Sequence, residues 1–134
     1  MARILYLEDE ENLVDLLPDI LKTKNFDVTA TMSIEKALEQ LAHENFDAVL
    51  LDIMMEPADN MNAEELDYGR KTGIEVARRM KALKPNVPIV AFTVITDPKI
   101  VGEMKQAGIM NIVNKPAEIE QIVNALLQAV KTNN

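Results

Sequence analysis

Short apolar runs alternate with amphipathic stretches along the whole chain, and no other feature restricts its fold so much. The runs are RILYL at 3–7, FDVTA at 26–30, DAVLL at 47–51, VPIVAFT at 87–93 and IMNIVN at 109–114. Each is short and apolar or β-branched, as strands buried on both faces of a parallel sheet are. EENLVDLLPDILKTKN follows the first run. Its spacing predicts a helix with Leu13, Leu16, Leu17, Ile20 and Leu21 on one face, and with a kink or restart at Pro18. SIEKALEQLAHENF predicts a second helix capped by Ser33, with Lys36 where a capping box would place an acid. GIEVARRMKALKP predicts a third, stopped by Pro85. DPKIVGEMKQAG predicts a fourth, with Asp97 as N-cap, Pro98 at the first helical position and Gly108 as the stop. AEIEQIVNALLQAVK predicts the last. The order βαβαβαβαβα reads as an α/β domain with helices on both faces of a parallel sheet.

One segment interrupts the rhythm. EPADNMNAEELDYGRKT, residues 56–72, lies between the third strand and the third helix. Connections in α/β units usually run ~2–6 residues, so this one is long enough to serve as a lid or binding loop. A disordered surface excursion is the equal alternative. Asn62 and Glu65 read as a capping pair, with a single helical turn over 63–68.

The 134 residues suit one domain, and 48% of them are hydrophobic, enough for a sound core. The absence of cysteine excludes disulfides and thiolate metal sites. His43 is the only histidine, so multi-histidine metal sites are excluded and oxygen ligands for hard cations remain. The formal charge of -8 argues against a nucleic-acid partner and against an anionic membrane. No apolar run approaches the ~20 residues of a membrane span, and MARILYLEDEEN carries no signal-peptide core. The expected compartment is the cytoplasm.

Ligands of open α/β sheets bind beyond the carboxyl ends of the strands. There the sequence sets Glu8, Asp9, Glu10 and Glu11 after the first strand and Asp52 after the third. Thr93 ends the fourth strand, and Lys115 with Pro116 follows the fifth. Singly, each has an ordinary reading: acids at a helix N-terminus, a turn aspartate, a strand threonine, a loop lysine. Together they form a kit. Clustered carboxylates bind Mg2+, and a carboxylate beside the metal can attack phosphorus. Metal and lysine then neutralise phosphoryl oxygens while a hydroxyl donates to another.

ILYLEDEEN, AVLLDIMM, PNVPIVAFT and NIVNKP resemble the receiver domain of two-component response regulators, over essentially the whole chain outside 56–72. The resemblance implies a doubly wound (βα)5 flavodoxin-like fold with strand order 2-1-3-4-5, a single receiver domain spanning 1–134. It implies that Asp52 is the phospho-acceptor, that Thr93 is the switch hydroxyl and that Lys115 pairs with the phosphoryl group. Asp9 and Asp52 would hold Mg2+ (or Mn2+) directly, Glu8 through water, and Met54 through its backbone carbonyl. Lys115–Pro116 would be a cis bond aiming the lysine inward. The phosphoryl donor would be the phosphohistidine of a sensor histidine kinase or phosphotransfer protein, or a small donor such as acetyl phosphate. His43 matches no motif and is expected on the exposed side of the second helix. Output would be contact with a downstream protein through the face of the fourth helix, fifth strand and fifth helix, with Ile100, Met104, Ile109 and Ile112 as candidates.

The chain departs from the family pattern in three places. Ile112 replaces the aromatic switch residue. Val94 follows Thr93 where the family prefers Ala or Gly, and is expected to crowd the phosphoryl pocket. The connection after Asp52 is roughly a dozen residues longer than a short α/β loop. Met54 and Ile95, two residues past Asp52 and Thr93, cannot orient a water, so autodephosphorylation is expected to be slow. Other classes compete. An aspartate-nucleophile phosphatase would want an acid where Met54 stands. A flavodoxin-type carrier would want a phosphate loop where LEDEEN stands. A degenerate receiver, acting as a phosphorylation-independent interaction module, fits Ile112 and Val94 but not the intact acids, Thr93 and Lys115. The Met1 start and KTNN end are read as those of a complete short protein.

Overall fold

The computed structural model describes residues 1–133; Asn134, the last residue of the polar KTNN end, lies outside them. Five parallel strands form one sheet: β1 (Ala2–Leu7), β2 (Phe26–Thr31), β3 (Ala48–Leu51), β4 (Ile89–Thr93) and β5 (Ile109–Asn114). Their order is β2-β1-β3-β4-β5. The helices are α1 (Glu11–Lys22), α2 (Ile34–His43), α3 (Thr72–Leu83), α4 (Pro98–Gln106) and α5 (Ile119–Asn133). This is the expected flavodoxin-like (βα)5 fold.

Alternation along the strands divides the core in two. Leu5, Leu7, Val49, Leu51, Ile89 and Ala91 face the side covered by α2, α3 and α4. Ile4, Tyr6, Leu50, Val90 and Phe92 face the side covered by α1 and α5. β3 and β4 are buried along their whole length, which is why they read as unbroken apolar runs.

The caps form as the sequence implies. The Ser33 hydroxyl accepts from Lys36 N–H, and the Asp97 carboxylate accepts from Lys99 N–H. Gly108 ends α4 at φ 95°, a conformation that costs glycine nothing. Helix α1 runs unbroken through Pro18. Its buried stripe is Leu17 and Leu21, with Leu13 half-buried, while Leu16 is 58% exposed. Placing Leu16 on the core face was an error of about a quarter turn, since each residue advances ~100° around the helix.

The surface candidates for output also need correction. Ile100, Met104 and Ile109 are buried in the core beneath α4, and only Ile112 is half-exposed. Their helical and strand spacing marked a core-facing stripe. His43 is exposed, as expected.

The 56–72 segment is not a disordered excursion. Met55 N–H donates to Gly69 C=O at 3.1 Å, closing the loop at its neck. Gly69 sits at φ 106°, and a Cβ there would lie 2.9 Å from Met55 O. Leu66 is buried, and Ala58 and Met61 pack against the core. Asn62 Oδ1 accepts from Glu64 N–H and Glu65 N–H, and a 3-10 turn follows at Asp67–Gly69. The loop's far end is tied to α4: Lys71 pairs with Glu103 at 3.1 Å and Arg70 with Asp97 at 4.0 Å. It is a compact, internally packed loop of Ω type.

Candidate functional site

Sheet register lines up the strand ends. Leu7 of β1 pairs with Leu51 of β3, so Glu8 and Asp52 emerge side by side. Thr93 of β4 pairs with Asn114 of β5, which puts Lys115 next to Thr93. That register depends on an irregularity: Ile89 pairs with Ile109 but Val90 with Asn111, leaving Met110 as an extra residue. Backbone bonds extend the ladder past the strands. Asp52 N–H donates to Leu7 C=O at 3.0 Å and Lys115 N–H to Thr93 C=O at 2.8 Å. Asn114 stitches the next turn, donating through Nδ2 to Thr93 O and Ile95 O. The Lys115–Pro116 peptide is cis, as the resemblance implied.

From below, α3 presses on the end of β3. Gly73 N–H donates to Ile53 C=O at 2.8 Å. A Cβ on Gly73 would stand 2.5 Å from both Asp52 O and Ile53 Cα, so only glycine fits. Gly73 lies in the first turn of α3, and this close approach is the reason for a glycine there.

The acids converge. Glu8, Asp9 and Asp52 each offer a carboxylate oxygen within 4.8 Å of the others. Glu8 is 0% exposed and Asp52 4%, while Asp9 is open to solvent. Lys115 Nζ lies 2.9 Å and 3.2 Å from the two Glu8 oxygens and 3.6 Å from Asp52 Oδ1. It also stands 5.0 Å above the Phe92 ring. Tyr6, which sequence reasoning passed over, donates its phenol O–H to Glu8 Oε1 at 2.8 Å. Strand alternation carried the signal, since Tyr6 and Glu8 stand two positions apart and share a side of β1.

These contacts set the charges. Burial, then the hydrogen bond and negative charge of Glu8, push Asp52 up to about 9; Lys115 only partly offsets them. Burial opposes ionisation of Glu8 as well, but its bonds with Asp52, Lys115 and Tyr6 outweigh burial and hold it below the ordinary carboxyl range. Burial and Glu8 drive the Tyr6 phenol far above its ordinary value, so it stays a donor. The pair thus favours a negative charge on Glu8 and a proton on Asp52. Three oxygen-bearing acids around one ammonium form a donor set that suits a hard divalent cation.

Thr93 is buried, and its hydroxyl accepts from Ile95 N–H at 3.1 Å. Val94 is 55% exposed. The Met54 side chain is 40% exposed at the mouth, while Ile95 is buried. Beside Asp9, a groove of about 630 Å³ opens between the start of α2 and residues 55–59 of the long loop.

The response regulator receiver domain family model matches residues 4–127. The chain belongs to that family. This receiver is 27% identical over 128 residues to a cyclic di-GMP phosphodiesterase of Thermotoga maritima, covering 96% of this chain and 31% of that protein. It spans between 26% and 31% of the length of its first curated relatives. Its fold matches a CheY-like receiver domain protein of Methanospirillum hungatei JF-1 with a TM-score of 0.83 at 18% identity, over 99% of this chain and 96% of the other. It also matches the receiver domain of the sensor histidine kinase PA1611 from Pseudomonas aeruginosa, solved with a magnesium ion coordinated in its active site cleft, with a TM-score of 0.77 at 19% identity, over 97% and 98% of the two chains. Among the described residues of this receiver, no helix is long and apolar enough to cross a membrane.

Proposed function

We propose that this receiver is a phosphorylation-activated switch that accepts a phosphoryl group on Asp52 from the phosphohistidine of a sensor kinase or phosphotransfer protein. The observation that carries the reading is the meeting of Asp52 with Glu8, Asp9 and Lys115 at the strand ends, the carboxylates within 4.8 Å of one another and the ammonium 3.6 Å from Asp52. In the reaction an Asp52 oxygen attacks phosphorus, the phosphorus–nitrogen bond breaks, and the electron pair returns to the donor imidazole. Lys115 neutralises charge on the phosphoryl oxygens, and the Thr93 hydroxyl turns from Ile95 to donate to one of them. Asp9, Asp52, Glu8 and the Met54 carbonyl would hold Mg2+ or Mn2+. With such a cation held there, Asp52 would favour its ionised form, its proton passing to solvent, and the cation would supply positive charge to the phosphoryl oxygens. Output by contact with a downstream protein and a cytoplasmic setting belong to the same proposal.

Against a phosphatase, Met54 supplies no acid two residues past Asp52. The deciding experiment is intact mass after acetyl phosphate and Mg2+, comparing the native chain with Asp52→Ala. A gain of ~80 Da, one phosphoryl unit, is expected in the native chain alone. No gain in either would leave a phosphorylation-independent interaction module in its place.

A further inference from the structure

We propose that Tyr6 is a positioning residue of this site: its phenol secures Glu8, so that Lys115 is free to leave Glu8 for the phosphoryl oxygens on Asp52. The inference rests on the reading of Asp52 as acceptor.

Lys115 is already engaged within the acid cluster. Its ammonium is committed to both oxygens of Glu8, at 2.9 Å and 3.2 Å, and stands 3.6 Å from Asp52, outside good hydrogen-bonding range. Neutralising a phosphoryl group on Asp52 requires Lys115 to give up part of that grip. Glu8 is fully buried, and a buried carboxylate stripped of its cation is strongly destabilising. Apart from Lys115, it accepts from the Asp52 carboxyl, a partner lost once Asp52 carries a phosphoryl group, from Glu10 N–H, at a long 3.3 Å, and from the Tyr6 phenol, at 2.8 Å. Tyr6 is the short donor that remains when Lys115 moves.

The phenol also cannot drift. The Tyr6 ring is wholly buried and packs in the α1–α5 face of the core with Ile4, Leu50 and Phe92. A phenylalanine would fill the same space. Among the described residues, the hydroxyl has its hydrogen-bond partner at Glu8.

Tyr6→Phe removes that donor and keeps the ring. Phosphorylation by acetyl phosphate at saturating Mg2+ should slow by about tenfold, the scale of one hydrogen bond to a charged group. The Mg2+ concentration giving half the maximal rate, and Mg2+ affinity by calorimetry, should not change, because Lys115 still holds Glu8 before phosphorus arrives. An unchanged maximal rate overturns the proposal. So does a slower rate accompanied by weaker Mg2+ binding, which reports general damage to the site.

A second measurement leaves Tyr6 in place. The chain has two tyrosines and no tryptophan, so Tyr68→Phe makes Tyr6 the only strong near-ultraviolet reporter. Tyr68 lies exposed in the long loop. After acetyl phosphate treatment, the Tyr6 absorption should keep the shift of a phenol bonded to a carboxylate. A change to a free-phenol spectrum sinks the idea, because Tyr6 would have released Glu8 together with Lys115. If the native chain gains no phosphoryl mass at all, the acceptor reading fails instead, and the two failures are told apart.

Discussion

Lys115 donates to Glu8 at 2.9 Å across 107 positions of sequence, and this pair, rather than Lys115 with Asp52, is the tighter contact of the resting site. The ammonium occupies the acid cluster as an internal counter-charge.

Lys115→Ala leaves Glu8 buried with Tyr6 and one backbone N–H. Breaking a buried ion pair costs more than an exposed one; with Lys115 still 15% exposed, roughly 2 kcal/mol of stability should be lost without metal. Mg2+ should recover part of it, since a second cation can then serve the same acids. Thermal melts of both chains with and without Mg2+ make the check. A loss of equal size in both conditions contradicts a shared role.

The raised Asp52 carboxyl makes the metal-free chain pH-sensitive. Its pKa rises from 3.8 to about 9, so across that window the folded state holds a proton that the unfolded state has shed. Stability therefore falls as pH rises through the window and is unaffected by Asp52 below it. Glu8, held low, works in the opposite sense: its contribution is lost as pH falls through its folded value. Between neutral pH and about 9, the native chain should lose more thermal stability than Asp52→Asn, and Mg2+ binding should release a proton measurable by calorimetry in buffers of different ionisation enthalpy.

Two glycines should respond oppositely to alanine. At Gly73 the new Cβ meets Asp52 O and Ile53 Cα at 2.5 Å, which forces β3 and α3 apart. About 2 kcal/mol of stability should be lost, and phosphoryl uptake should fall as Asp52 shifts. At Gly102, inside α4, a Cβ meets nothing within 4 Å, and alanine should stabilise by about 0.5–1 kcal/mol. Urea melts of the pair test the contrast; equal effects would mean that the α3–β3 contact is soft.

Met54 and Ile95, two positions past Asp52 and Thr93, carry apolar side chains that cannot align a water. The phosphorylated chain should decay over minutes or longer. Following the mass shift after donor removal measures this directly, and a half-life of seconds would refute it. Met54→Asn places an amide beside the pocket and should speed the decay.

Local chemistry determined much of this protein before any contact was known. Apolar runs and caps such as Ser33 and Asp97 depend on neighbours a few residues away, so the element order, strand ends and acid, hydroxyl and lysine kit were legible in sequence. The limits lay where distant residues decide. Periodicity marked Ile100, Met104 and Ile109 as apolar but could not distinguish a core-facing stripe from a docking face, and it misplaced Leu16 by a quarter turn. The sequence left 56–72 open between a lid and a disordered excursion, because its order comes from Leu66 entering the core and from Gly69 bonding Met55, neither of them a local signal. Tyr6 read as a strand aromatic until folding set its hydroxyl against Glu8. The extra residue at Met110 fixed which side of β5 meets Thr93, and with it the reach of Lys115. Sequence by itself thus determined which groups stand at the strand ends. Only the tertiary structure decided which of them touch, because register and burial are properties of the packed sheet and not of any one segment.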